Sequence, residues 1–122
     1  MTTPQDPVMV ILKCPAHMSM DVFTQKCEDL MHAIIALPCA ENISKYDLCV
    51  PNRILDAHLE RLGMPIPQGT IVLTSEFPAI ENLEALARAP EMENLIEAGK
   101  ADVGWHLQSC TFAYDMISKI GK

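Results

Sequence analysis

The sequence predicts an α+β fold: a four-stranded antiparallel sheet with two long helices on one face. Three observations predict it. Four short segments have strand-like patterning, and two of these, VMVILKC at 8–14 and TIVLTSEF at 70–77, are rich in β-branched residues. Two longer segments, 20–37 and 80–98, keep apolar residues at helical spacing. The order is strand, helix, strand, short helical insertion, strand, broken helix, strand, and two β-α-β halves of this length build such a sheet. One sheet face then has no helix of its own. If it is apolar it must be covered, and a homodimer joining two such faces covers it.

Composition narrows the class. The 122 residues are read as one domain, 1–122, with 49% hydrophobic and 20% charged residues, which is globular rather than disordered. A net charge of −7 without a Lys/Arg cluster opposes binding to nucleic acid or to an anionic membrane surface. No apolar run approaches the roughly 18 residues of a membrane span. The start, MTTPQDP, lacks the basic residues and apolar core of a signal peptide, so the expected location is cytoplasmic. The five cysteines are odd in number and none pair as CxxC, which argues against a disulfide framework and a structural zinc site. They are read as small buried hydrophobes, with Cys39, beside Pro38 and a loop, as the most accessible thiol. Eight methionines against three phenylalanines imply a soft core or cavity wall.

In the first strand, Met9, Ile11 and Lys13 share a face, and Lys13 at the strand end is a candidate for a cavity rim. Pro15 to Met18 forms a turn. Ser19 is a helix cap, with Asp21 complementing the dipole in the first turn. Phe23, Cys27, Leu30, Met31 and Ile34 form the apolar stripe of the first helix, and Pro38 ends it. His32, nine residues after Phe23, falls about 180° around that helix, on the solvent side. The second strand, 43–50, places Ser44, Tyr46, Leu48 and Val50 together.

The insertion, 52–68, contains a short helix capped by Asn52 and closed by Gly63. Ile54, Leu55, His58, Leu59 and Leu62 make one stripe on it, so His58 is expected to face inward. The helix from 80 is interrupted at Ala89-Pro90. The last strand, 106–117, divides into two faces. Leu107, Ser109, Thr111 and Ala113 suit closely packed helices, while His106, Gln108, Cys110, Phe112, Tyr114 and Met116 have the mixed character of a ligand pocket.

Phe23 to Pro38 (FTQKCEDLMHAIIALP), Lys45-Tyr46 opening the second strand, and LEALARAPEMENLIEAG at 83–99 carry a resemblance. Together they resemble the dimeric α/β-barrel superfamily of ferredoxin-like folds, and within it the EthD-like and stress-responsive barrel proteins. The resemblance implies a homodimer with a sheet-lined cavity in each subunit. Members cyclise or decarboxylate polyketides, isomerise lactones, oxygenate without a cofactor, cleave cyanohydrins or degrade haem. EthD-like members often carry a histidine late in the first helix, to which His32 is the closest match. Plant cyclases of the superfamily have a catalytic histidine two residues after the second-helix proline. That position is Met92 here, so their mechanism does not transfer.

No phosphate-binding glycine loop, HExxH or GxSxG motif is present. A Cys–His pair remains open, and a metal site from His17, His32, His58 and His106 has no support in their spacing. The reading is an enzyme without cofactor or metal, acting on a small hydrophobic oxygenated molecule such as a polyketide or aromatic keto acid. It would decarboxylate, cyclise or isomerise by acid–base chemistry. His58 or His32 is the candidate base with His106 as substitute, and Tyr46 or Tyr114 polarises a carbonyl. Trp105, Phe112, Met116 and Lys13 are the candidate binding residues. The competing reading is a non-catalytic homodimer that carries a hydrophobic metabolite.

Overall fold

The computed structural model describes residues 6–67, 69–104, 109–114 and 117. Strands β1 (Asp6–Lys13), β2 (Lys45–Cys49), β3 (Thr70–Phe77) and β4 (Cys110–Ala113) form one sheet in the order β2-β3-β1-β4. Every neighbouring pair is antiparallel. The helices are α1 (Met20–Ile35), α2 (Arg53–Arg61), α3 (Ile80–Arg88) and α4 (Pro90–Asp102), with a 3₁₀ turn at Pro38–Ala40. This is the expected ferredoxin-like sheet. Pro90 divides the second long helix into α3 and α4 rather than kinking it: as N1 of α4 its missing N–H costs no helical bond.

Local chemistry sets the boundaries. Ser19 accepts a hydrogen bond from the Val22 amide at 3.2 Å and Asn52 accepts one from Leu55 at 3.0 Å, so both predicted caps are made. Gly63 closes α2 with a φ of +83°, a conformation that L side chains rarely adopt. Gly69 (φ +60°) brings β3 against β1. Cys14 donates its amide to the Gly69 carbonyl at 2.7 Å, and a Cβ on Gly69 would lie 3.2 Å from that of Cys14.

The core lies on one side of the sheet, beneath α1, α3 and α4. Phe23, Cys27, Leu30 and Ile34 follow the i, i+4, i+7, i+11 stripe of α1 and feed two clusters. One is Leu12, Phe23, Cys27, Ile71 and Val103; the other is Val8, Ile34, Ala40, Phe77 and Leu86. Phe23 and Ile71 have no exposed surface. Burying each such side chain stabilises by about 1.5–3 kcal/mol. On the other side of the sheet, Met9, Ile11, Val72, Cys49, Cys110 and Phe112 share a face that no described helix covers. Among the described residues no helix is long and apolar enough to cross a membrane.

Candidate functional site

Strand pairing decides which residues meet beneath the helices. Residues directly opposite in antiparallel strands share a face, so Thr111 of β4, Val10 of β1, Leu73 of β3 and Leu48 of β2 form one row across the sheet. Tyr46, Ser75, Val8 and Ala113 form the next. The edge strands β2 and β4 are three strand spacings apart, about 14 Å. Between the two core clusters the helices stand away from the sheet, leaving a cavity of about 350 Å³. Its floor is Val10, Leu12 and Leu73, its roof Leu30 and Ile34 of α1 with Met92 and Ile96 of α4. Ser109, Cys110 and Thr111 line it at the β4 edge, where β4 is exposed, and Tyr46 lines it from β2.

The wall is mostly apolar with a few polar groups, the composition of a site for a small organic ligand. Tyr46 is half-buried, and burial pushes its hydroxyl up to about 12, so it stays protonated and able to donate through the neutral range. No hydrogen bond joins that hydroxyl to another described residue. Lys100 is the one formally charged residue among the described lining. It follows Met92 and Ile96 at i, i+4, i+8, which turns all three toward the cavity. Its Nζ lies 3.2 Å from Glu97 Oε1, and both side chains are well exposed, so the ammonium sits at the rim while its stem faces the cavity.

The structure brings few of the expected residues together here. Tyr46 lines the cavity; the other described candidates do not. Phe112 and Tyr114 lie on the opposite, uncovered face, opposite the row of Met9, with ring centroids 6.4 Å apart. Of the expected pocket-like side of the last strand, Cys110 borders this cavity and Phe112 and Tyr114 do not. The small residues Ser109 and Thr111 leave room under α4, whereas Phe112 and Tyr114 have no cover to enclose a cavity with. Lys13 is on the uncovered face and donates to Thr70 Oγ1 at 2.6 Å. It borders a separate hollow of about 320 Å³ with Cys14 and His17 at the end of the sheet.

His32 is exposed on α1, as its position on the helix requires. His58 is exposed too, which corrects the inward direction expected for its stripe. Arg53, Asp56, Ala57 and Glu60 of α2 turn toward the start of α1, where Arg53 reaches Asp21 at 2.9 Å. The apolar side is thereby turned out, with Ile54 79% and Leu62 72% exposed, and His58 Nδ1 lies 3.0 Å from an Arg61 nitrogen. His106, Trp105 and Met116 lie outside the described residues. The thiol expectation changes as well: Cys39 is half-buried, and Cys49 and Cys110 are the exposed ones. No group of His, Cys, Asp and Glu among the described residues is placed to hold a metal ion.

Lys100, Met92, Ile96, Ser109 and Thr111 were missing from the sequence-derived site. The α4 residues were within reach of the sequence, since Met92 starts a stripe whose fourth and eighth successors are Ile96 and Lys100. Ser109 and Thr111 were assigned to the helix-packed side, which is the side that holds the cavity.

No protein-family model matches the chain, and no curated protein matches its sequence. Solved structures do match its fold. A cofactor-independent oxygenase from Streptomyces nogalater superposes with a TM-score of 0.63 at 8% identity, covering 97% of this chain and 98% of that one. An antibiotic biosynthesis monooxygenase superposes with a TM-score of 0.60 at 13% identity, covering 93% and 99%. A dimeric protein of ferredoxin-like fold from Bacteroides fragilis gives 0.61 at 17% identity, covering 92% and 96%. Across nearly its whole length the chain therefore has the ferredoxin-like fold of these proteins.

Proposed function

We propose that the chain is a homodimeric enzyme without cofactor that takes a hydrophobic oxygenated molecule into the cavity between sheet and helices. The observation that carries this is Tyr46: a protonated hydroxyl, free of described partners, on an otherwise mostly apolar wall. Such a donor polarises a carbonyl and stabilises the oxyanion or enolate that forms when a proton is removed, or CO2 is lost from a carboxylate, at the neighbouring carbon. Decarboxylation, cyclisation and isomerisation of an aromatic or polyketide-type keto acid all pass through that enolate. Oxygenation, the activity named for two of the similar structures, begins from the same species. The base is proposed as His106, which stands three residues before the lining residue Ser109 in the chain. The EthD-like kinship rests on residues 23–38, 45–46 and above all 83–99, and is proposed on that resemblance alone.

The dimer is proposed through the uncovered sheet face, where Met9, Ile11, Val72 and Phe112 present apolar surface. The similar structure from Bacteroides fragilis is described as dimeric. One observation favours the carrier reading instead: the described lining holds neither a histidine nor a carboxylate. Incubation with aromatic keto acids and polycyclic phenols in air, followed by mass spectrometry and oxygen uptake, separates the two. Turnover that falls about a hundredfold in kcat in Tyr46→Phe supports the enzyme. Saturable binding with no product at any pH would leave the carrier.

A further inference from the structure

We infer that the cavity selects an anionic ligand, a rigid apolar molecule with a carboxylate or enolate oxygen at one end and a neutral oxygen at the other, and that Lys100 is the residue that selects it. The inference rests on the cavity reading above and adds the substrate's charge and shape. The described lining carries one cation and no acid. An ammonium beside low-dielectric walls attracts an anion more strongly than it would in open water. This holds although the whole chain is acidic, because the local field at a cleft is set by its nearest charges. Glu97 is no obstacle: it sits outside the lining, 71% exposed, and an exposed pair one helical turn apart is weak. Lys100 can leave it for a partner inside.

Geometry supplies the shape. Tyr46 and Met92 pack against the same core cluster, at one end of the cavity. Lys100 lies eight residues beyond Met92 along α4, about 12 Å at the helical rise. The sheet beneath spans about 14 Å between its edge strands. A ligand that meets both polar groups therefore needs an apolar body about three fused rings long. Leu30, Ile34, Leu73 and Ile96 face that body with aliphatic surface only.

The test uses 6-hydroxyanthracene-2-carboxylate and 6-hydroxyanthracene-2-carboxamide, which share the ring system and a neutral hydroxyl at the far end and differ in charge, titrated by fluorescence at pH 7.5. The acid is expected to bind at least about tenfold more tightly than the amide. Lys100→Met keeps the apolar stem and is expected to bring the ratio of the two affinities to about one; Lys100→Arg is expected to restore the preference. Equal affinity for the two probes in the unaltered protein, or a preference that survives Lys100→Met, overturns the inference. If both probes bind equally and Tyr46→Phe weakens both, the cavity reading stands and only the anion selectivity falls. If neither probe binds, both fall together.

Discussion

Tyr46 of β2 and Ser75 of β3 stand directly opposite one another on the helix-covered face, and neither hydroxyl has a hydrogen-bond partner among the described residues. Ser75 is 5% exposed. Leaving a buried hydroxyl unpaired costs about 1–3 kcal/mol relative to satisfying it, and an apolar replacement of similar shape removes that cost. Ser75→Ala is therefore expected to be neutral or to stabilise by up to about 1 kcal/mol in urea unfolding. A loss greater than that would show that the hydroxyl is paired in solution.

Tyr46 sets an alkaline limit. Its folded pKa of about 12 lies above the ordinary value of 10.0 because burial disfavours the phenolate. Below pH 10 the residue is protonated folded and unfolded, and its contribution is complete. Between about 10 and 12 only the unfolded chain gives up the proton, so stability falls as pH rises through that window. Cys27, also pushed up to about 12 by burial and by Cys14, acts in the same direction from its ordinary 9.0. Absorbance at 295 nm should show that one of the two tyrosines resists ionisation until near pH 12, and Tyr46→Phe should remove that late transition. Simultaneous ionisation of both near pH 10 would contradict the burial.

Thiol chemistry separates the five cysteines by the same geometry. Cys49 and Cys110 are exposed, while Cys27 is 2% exposed with its thiol held protonated. Titration with an aromatic disulfide reagent at pH 8 should release two equivalents quickly and leave Cys27 untouched until unfolding. Early loss of Cys27, read by peptide mass mapping, would mean that α1 is not closed over the sheet.

The packing on α1 was legible because a helix declares its buried side through spacing. Phe23, Cys27, Leu30 and Ile34 point one way, and only the sheet can receive them. Phe23→Ala should cost about 3–5 kcal/mol by leaving a cavity in a cluster with no exposed surface at its centre. The division of β4 into a small-residue side and an aromatic side was legible for the same reason. Which side would enclose a ligand was not, because period two gives two faces without saying how closely the covering helices approach. Nor does an amphipathic stripe say whether its own chain will cover it. On α2, Arg53, Asp56, Ala57 and Glu60 are the side turned toward the start of α1, so His58 and Leu62 are left outside.

That reversal makes an expected silence. His58→Gln and His32→Gln should leave kcat within about twofold, since both imidazoles are exposed and outside the cavity lining, whereas Tyr46→Phe should lower it about a hundredfold. The comparison is read from initial rates at one pH, with circular dichroism confirming the fold of each variant. A tenfold loss in His58→Gln with Tyr46→Phe unaffected would move the site to α2.

The uncovered sheet face carries the last prediction. Ile11 of the interior strand β1 lies between Val72 of β3 and Cys110 of β4, in one row with Cys49 of β2. With strands of eight, eight, five and four residues, the face has a flat area of about 400 Å². Its apolar part, Pro7, Met9, Ile11, Val72 and Phe112, is bordered on the same face by Lys13, Lys45, Asp47, Glu76, Thr70 and Thr74, and the whole is less than the roughly 800 Å² per partner of a standard interface. Side-chain relief and residues flanking the face would have to supply the rest. Light scattering at micromolar concentration should give twice the 13.5 kDa of one chain. Ile11→Lys buries an ammonium at the centre of the joined faces in the dimer but leaves it in water in the monomer. It should raise the dimer dissociation constant about a hundredfold, roughly 3 kcal/mol, with little change in the circular dichroism of the fold. A clean 13.5 kDa species from the unaltered protein would show that this face stands open in solution and would remove the barrel.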